Sequence, residues 1–279
     1  MAEGSRIEWT DHTFNPWTGC TNISPGCDHC YAEAWSKRSG HVRWGNNPRK
    51  RTTADYWKAP LIWNARAARF QAQHGRRQRV FCASLADVFD NQAPPEWRAD
   101  LFALVRATPA LDWLMLTKRP QNIAEMLPDD WGGGYANVWL GMTAEDQVRY
   151  DQRWRHLAAV PATIRFVSYE PAIGPLRLPA DAEAYPDWMI IGGESGGGAR
   201  PMDPAWARDA IADCRRLGVA PFFKQWGAYG NNPLVREQAM TPAEAKGVDA
   251  AGKGGGMVDG KVVREFPTEA MNSTASGAA

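Results

Sequence analysis

A short apolar run closed by polar residues, then a helical stretch, then another such run, recurs through the middle of the chain, and no other feature restricts its fold as strongly. The apolar runs are Val80 to Ser84, Trp113 to Thr117, Val138 to Met142, Ile164 to Ser168, Trp188 to Ile191 and Pro221 to Lys224, with an earlier irregular one around Phe14 to Cys20. Near-continuous apolar runs of this length are the pattern of parallel strands covered on both faces. Between them, Pro95 to Ala107 opens with a proline suited to a first helical turn, and Glu145 to Ala158 and Asp203 to Leu217 have helical apolar spacing. Asp203 is the expected N-cap of the last and Gly218 its C-cap. Alternation of this kind specifies an α/β fold. Six or seven strands fall short of the eight of a closed barrel, so a partial barrel and an open doubly wound sheet both suit the pattern. The expectation is a partial (β/α) barrel over residues 1–226.

The alternation stops after Trp226. Residues 227–279, rich in Gly, Ala, Pro and Asn, read as a C-terminal extension. Within it Gly256 to Val263 has the form of a hairpin turning at Asp259-Gly260, and Asn272 to Ala279 is expected to be disordered.

At 279 residues, 44% hydrophobic and 23% charged, the chain has an ordinary globular composition. No stretch approaches the ~18 apolar residues of a membrane span, and Met1 to Trp17 lacks an apolar signal core, so the expected location is the cytoplasm, without membrane contact. The net charge of +1 gives no global field towards nucleic acid. Two local basic clusters, Arg43, Arg49, Lys50 and Arg51, then Arg76, Arg77 and Arg79, leave a local patch open. The 14 tryptophans read as packing residues rather than base-stacking platforms.

Five cysteines without an export signal argue for reduced thiols or a metal site rather than a disulfide framework. Cys82 and Cys214 fall within a strand and a helix and read as inert buried thiols. Cys20, Cys27 and Cys30 share one loop, in which Pro25 and Gly26 allow the chain to fold back before a helix beginning at Tyr31. Thiolates at that spacing suit iron–sulfur or zinc. With His29 or His12 as a fourth ligand the same loop would make a closed structural zinc site. Three thiolates alone leave one iron of a cubane cluster without a protein ligand, an open position for a substrate.

In a β/α barrel the loops after the strands converge over one mouth. Polar residues stand there each time: Ser84 and Asp87, then Thr117, Lys118 and Arg119, then Thr143 and Glu145, then Ser168 and Glu170, then Glu194 and Ser195, then Lys224 and Gln225. One such residue alone is more often a helix cap or a solvated loop residue, and it is the recurrence that points to a shared site. Lys118 and Arg119 suit a carboxylate or phosphate. Glu170, before Pro171, belongs to an extended segment that aims its carboxylate towards the mouth, where it meets a ligand or a nearby cation. Gly192 and Gly193, before Glu194, allow the backbone to approach a ligand. The glycines at 196, 197 and 198 extend that turn, but no Lys-Ser/Thr follows as a P-loop requires.

The Cys triplet ending in Cys27-Asp-His-Cys30-Tyr31, set before a series of βα units, resembles the radical-SAM superfamily. More closely, Trp9-Thr-Asp-His-Thr-Phe-Asn-Pro-Trp-Thr-Gly-Cys20, Ser24-Pro-Gly-Cys27, Leu116-Thr-Lys-Arg-Pro120, Ser168-Tyr-Glu-Pro171, Gly192-Gly-Glu-Ser195 and Phe223-Lys-Gln-Trp-Gly227 resemble a family of three-cysteine proteins of bacteriophages and bacterial genomes. The resemblance implies a [4Fe–4S] cluster on Cys20, Cys27 and Cys30 that binds S-adenosylmethionine and cleaves it reductively. It would place Ser84, Asp87, Lys118, Arg119, Thr143, Glu145, Gly192, Gly193 and Glu194 around the cofactors, with Glu170 and Lys224 as catalytic groups. It also implies an electron donor, and a substrate that the phage setting and the basic clusters make a nucleotide or nucleic acid. Six residues separate Cys20 from Cys27, wider than the usual superfamily spacing. The other class of function open to the chain is a non-catalytic binding module stabilised by zinc or an iron–sulfur cluster.

Overall fold

The apolar runs form one parallel sheet in a computed structural model, which describes residues 3–267. In chain order the strands are β1 (His12–Phe14), β2 (Trp17–Thr18), β3 (Lys50–Arg51), β4 (Gln78–Cys82), β5 (Leu111–Thr117), β6 (Val138–Thr143), β7 (Ile164–Tyr169), β8 (Trp188–Gly192), β9 (Ala220–Gln225), β10 (Met257–Val258) and β11 (Lys261–Val262). The helices are α1 (Tyr31–Ser39), α2 (Ala59–Ala65), α3 (Ala67–His74), α4 (Pro95–Ala107), α5 (Ile123–Met126), α6 (Gln147–Ala158), α7 (Pro204–Leu217), α8 (Pro233–Arg236) and α9 (Pro242–Val248). The main sheet runs β1-β4-β5-β6-β7-β8-β9, all parallel. Each strand is added on the same side of its predecessor, and the order never reverses at a switch point. That is the winding of a barrel, here partial, and not of a doubly wound sheet.

The two faces of the sheet follow the alternation of side chains along each strand. Val80, Cys82, Trp113, Met115, Leu140, Val167, Met189 and Phe223 face outwards, in one cluster with Leu101 and Val105 of α4, Tyr150 and Leu157 of α6, and Ala207 and Ile211 of α7. Phe81, Leu114, Trp139, Phe166, Trp188, Ile190 and Phe222 form the other cluster together with Trp9. Trp188 meets Trp9, Trp139 and Phe222 edge-on, at centroid separations of 6.2, 6.0 and 5.8 Å. Aromatic side chains thus fill the concave face, and the polar residues collect beyond the strands' C-terminal ends.

The earliest strand is shorter than expected. His12–Phe14 pairs with β4, and Trp17–Thr18 then turns away to pair antiparallel with β3. Pro16 lies between them and has no N–H to continue the parallel ladder. Asp146, not Glu145, caps α6, its side chain accepting from Arg149 N at 2.9 Å. Glu145 is left outside the helix and free to point elsewhere. Asp203 and Gly218 cap α7 as expected, Gly218 with φ 73°.

The hairpin forms as the sequence suggests. Asp259 and Gly260 have φ 50° and 74°, the positive pair of a tight two-residue turn. The segment after Trp226 folds back on the sheet. Phe223 N donates to Val263 O at 2.7 Å and Glu265 N to Pro221 O at 2.9 Å, so residues 263–265 cover the edge of β9. Residues 272–279, expected to be disordered, lie outside the described residues. Among the described residues no helix is long and apolar enough to cross a membrane.

A Cβ on Gly141 in β6 would lie 2.3 Å from the Phe166 ring, which crosses directly over it. Gly141→Ala should therefore cost about 1–3 kcal/mol by overpacking. Urea unfolding tests this, and a midpoint unchanged from the parent would contradict the packing described.

Candidate cofactor site at the barrel mouth

The cysteine loop, residues 20–30, runs across the C-terminal ends of the strands and is gripped from several of them. The grip begins at β5. Arg119 follows that strand and is buried; its Nη1 lies 3.4 Å from Cys20 Sγ and 3.2 Å from Asp87 Oδ2, and its Nη2 donates to Thr21 O at 2.9 Å. Asp87, after β4, also accepts from Thr117 Oγ1 at 2.7 Å and Lys118 N at 3.2 Å, which fixes the carboxylate and through it the guanidinium.

Glu145, after β6, is completely buried. It accepts from Gly26 N at 3.1 Å and from Arg153 Nη1 at 2.7 Å. A Cβ at Gly26 would lie 3.0 Å from that carboxylate, which accounts for glycine in the Pro25-Gly26 turn. Burial works against the charge on Glu145, but Arg153, Ser24 and the Gly26 amide outweigh it and hold its pKa below the usual range.

The third grip comes from β8. Glu194 accepts from Arg200 N, Nε and Nη2 and from His29 Nδ1, the last at 2.9 Å. An ionised carboxylate only accepts, so Nδ1 of His29 carries the proton. Arg200 in turn donates to Pro25 O at 2.8 Å and Asp28 Oδ2 at 3.1 Å. Burial raises the Glu194 pKa, but these hydrogen bonds prevail and bring it to about 2. A fourth contact closes the loop, as Tyr31 OH donates to Ser84 O at 2.6 Å.

The residues expected to surround cofactors therefore divide. Asp87, Arg119, Glu145 and Glu194 make contacts that hold the loop, and Ser84 does so through its carbonyl. Thr143 is buried, and its carbonyl accepts from Arg153. Lys118 makes no side-chain hydrogen bond or ion pair among the described residues, while its charge lowers the pKa of Glu145. Glu170 and Lys224 do meet, Nζ to Oε1 at 2.6 Å, each about one-fifth exposed. Gln225 Nε2 joins them at 3.4 Å from the same Oε1.

The glycines answer to packing within the chain. A Cβ on Gly192 would touch the Glu170 side chain at 3.3 Å, and one on Gly193 would lie 2.2 Å from Trp226 O. The close approach expected for a ligand is, at Gly193, an approach of β8 to the backbone after β9.

Cys20, Cys27, Cys30, Cys82 and Cys214 are all free thiols. Burial pushes Cys20 up to about 11, with Asp87 adding to the shift and Arg119 opposing it. Burial likewise pushes Cys214 up to about 12 and Cys82 higher still, in keeping with inert thiols. Among the described residues no three or more His, Cys, Asp and Glu side chains are gathered as a ligand group for one metal ion. An iron–sulfur cluster would be held by Cys20, Cys27 and Cys30 as thiolates. Three free thiols on one anchored loop, with a guanidinium against one sulfur to offset anionic charge, fit such a cluster in their chemistry. His12 is not available as a fourth ligand. It lies in β1, stacked on Trp63 and bonded to Gln78 Oε1 at 2.7 Å.

Most residues of the basic clusters are engaged within the chain, although only Arg49 and Arg79 of them are buried. Arg49 is buried against Asp90 at 2.7 Å, Arg51 pairs with Asp100, Arg76 with Asp11 and Arg77 with Asp112, and Arg79 packs over Phe266. Arg43 and Lys50 stay exposed. Sequence reasoning missed Asn15, Arg153 and Arg200 as parts of the site. Asn15 Oδ1 accepts from Leu85 N at 2.7 Å, and its Nδ2 donates to Ser84 Oγ at 3.1 Å. Asn15 precedes Pro16 within the quoted N-terminal motif, whereas nothing in the sequence marks Arg153 or Arg200.

The fold and site define a partial β/α barrel with an anchored, three-thiol loop across its mouth. The chain belongs to the family described as Protein of unknown function (DUF5131), which matches residues 4–267. No curated protein matches the sequence. Solved structures of spore photoproduct lyase are similar at low identity. A mutant with bound AdoMet and dinucleoside spore photoproduct aligns at 11% identity and TM-score 0.43, covering 78% of this chain and 54% of that one. Another mutant, with dinucleoside spore photoproduct, aligns at 12% and 0.44, covering 81% and 59%. This chain thus spans little more than half the length of those structures.

Two outcomes test the anchoring. Glu145→Ala leaves Arg153 and the Gly26 amide without their carboxylate, and a loss of about 3–5 kcal/mol in denaturant unfolding is expected for a broken buried pair. Glu194, ordinarily near 4.5 and held at about 2, contributes stability that is complete above pH 4.5 and is lost as pH falls towards 2. In Glu194→Gln the decline of stability over that interval should flatten; an unchanged acid profile would contradict the assignment.

Proposed function

We propose that this protein is an iron–sulfur enzyme of the radical-SAM type, with Cys20, Cys27 and Cys30 holding a [4Fe–4S] cluster. The observation that carries this reading is the placement of three free thiols on a single loop anchored over the C-terminal ends of parallel barrel strands. That rim is where β/α barrels assemble their chemistry. The motif resemblance to the radical-SAM superfamily adds to it. When bound, such a cluster would supply the electron for reductive cleavage of S-adenosylmethionine.

The chain's own residues have distinct parts. Asp87, Arg119, Glu145, Glu194 and Arg200 hold the loop in place. Lys118, whose side chain makes no hydrogen bond or ion pair among the described residues, is suited to the carboxylate of a bound ligand. Thr143, Gly192 and Gly193 stand at the ends of β6 and β8, packed within the chain. Lys224 Nζ donates to Glu170 Oε1, and this pair, with Gln225, can hold or pass a proton beside a substrate. The substrate is proposed to be a nucleotide or nucleic acid, on the ground that Arg43 and Lys50 remain exposed on the segment whose Gly45 N bonds Cys20 O at 2.8 Å. An electron donor completes the proposal, and a cytoplasmic setting suits reduced thiols.

One observation favours a second reading, a non-catalytic module held together by zinc or an iron–sulfur cluster: the charged groups Asp87, Arg119, Glu145 and Glu194 at the strand ends are taken up in holding the loop itself. Metal content decides. Anaerobically purified protein should contain iron and sulfide and absorb broadly in the visible, Cys27→Ala should lose both features, and dithionite with S-adenosylmethionine should yield 5′-deoxyadenosine above the level of that variant. Colourless protein with one bound zinc would overturn the proposal. Retention on DNA or RNA should weaken as salt is raised; salt-independent retention would remove the phosphate argument.

A further inference from the structure

We infer that Arg119 sets the reduction potential of the cluster by placing a fixed positive charge and an N–H donor against the sulfur of Cys20, an inference that rests on the cluster assignment above. The three thiols of the loop are not equivalent. Cys20 Sγ has Arg119 Nη1 at 3.4 Å, whereas Cys27 Sγ has the neutral Ser24 hydroxyl at 4.0 Å. Among the described residues no cationic side chain is hydrogen-bonded to the sulfur of Cys27 or Cys30.

The guanidinium cannot easily leave this position. Arg119 is 6% exposed, its own backbone N–H donates to Thr117 Oγ1 at 2.8 Å, and Nη2 is held by Thr21 O at 2.9 Å. The same Nη1 that faces the sulfur lies 3.2 Å from Asp87 Oδ2, which is fixed in turn by Thr117. One cation therefore stands between two sites of negative charge, a carboxylate that is always present and a ligand sulfur.

Reduction adds an electron, and the potential of an iron–sulfur centre responds to nearby charge and to hydrogen bonds on its sulfurs. A buried cation at this distance favours the reduced form, and the neighbouring carboxylate opposes it. Removal of either partner should therefore shift the potential in opposite directions. A residue with a purely structural role in the loop would not produce that pair of shifts.

The experiment is a redox titration, followed spectroscopically, of the anaerobically reconstituted full chain without S-adenosylmethionine. Arg119→Gln should move the midpoint to more negative values by about 59 mV or more, a tenfold change in a one-electron equilibrium. Asp87→Asn should move it to less negative values, Arg119→Lys should fall between Arg119→Gln and the parent, and Arg106→Gln, at an exposed arginine paired with Asp130, should match the parent. If the parent assembles no iron and sulfide, the functional reading itself fails and the inference with it. If the parent assembles a cluster and both the Arg119→Gln and Asp87→Asn midpoints equal its own, the inference fails and the reading stands. Should Arg119→Gln assemble no cluster, Asp87→Asn decides: an upward shift upholds the role of Arg119 and an unchanged midpoint overturns it.

Discussion

Three arginine–carboxylate pairs, Asp87–Arg119, Glu145–Arg153 and Glu194–Arg200, hold the cysteine loop to the barrel, and the organisation of the mouth depends on them. An irregular loop carries backbone amides and carbonyls that have no partners of their own, and groups taken out of water must find them elsewhere. Here the amide of Gly26 and the carbonyls of Thr21 and Pro25 find them in side chains delivered by β5, β6 and β8. Each charged group is itself paired, which avoids the large penalty of a lone buried charge. The loop is thus placed by electrostatics and hydrogen bonding where hydrophobic packing could not place it.

The remainder of the molecule provides a rigid base for this arrangement. The concave face of the sheet is filled by Trp9, Trp139, Phe166, Trp188 and Phe222, so little freedom remains for the strands to shift relative to one another. The open barrel has two edges, and residues 263–265 cover the one at β9. Earlier in the extension, Lys253 N donates to Gln225 Oε1 at 3.1 Å, beside the Glu170–Lys224 pair. Gly193 and Gly227 allow the two backbones to meet at that point, since a Cβ on either would lie within about 2.2 Å of a carbonyl oxygen of the other segment.

Much of the scaffold was legible in residue order. The apolar runs that became β4 to β9, the cap of α7 at Asp203, the stop at Gly218 and the turn at Asp259-Gly260 all follow from local chemistry acting over a few residues. The grouping of polar residues at the mouth was equally readable, because a βα repeat sends every post-strand loop to one side. Their partners were not. Glu145 reads as the first residue of a helix, yet Asp146 takes the cap and Glu145 turns to Gly26, a residue more than a hundred positions earlier. Arg49 and Arg77 read as a basic surface and are neutralised by Asp90 and Asp112, acids that only the fold brings near.

From sequence alone came the parallel α/β class, the barrel-mouth position of the polar residues, and the reduced, soft-ligand character of the three-cysteine loop. Each of these depends on periodicity or on residue type, and both are properties of the chain as written. Tertiary structure alone decided that the sheet is wound in one direction and left open. It also decided that the carboxylates of Asp87, Glu145 and Glu194 serve to hold the loop while that of Glu170 pairs with Lys224, and that Arg119 stands against Cys20 and not against another thiol. Those outcomes depend on distances between residues far apart in the chain, and no local pattern encodes the angle at which one strand's loop meets another's.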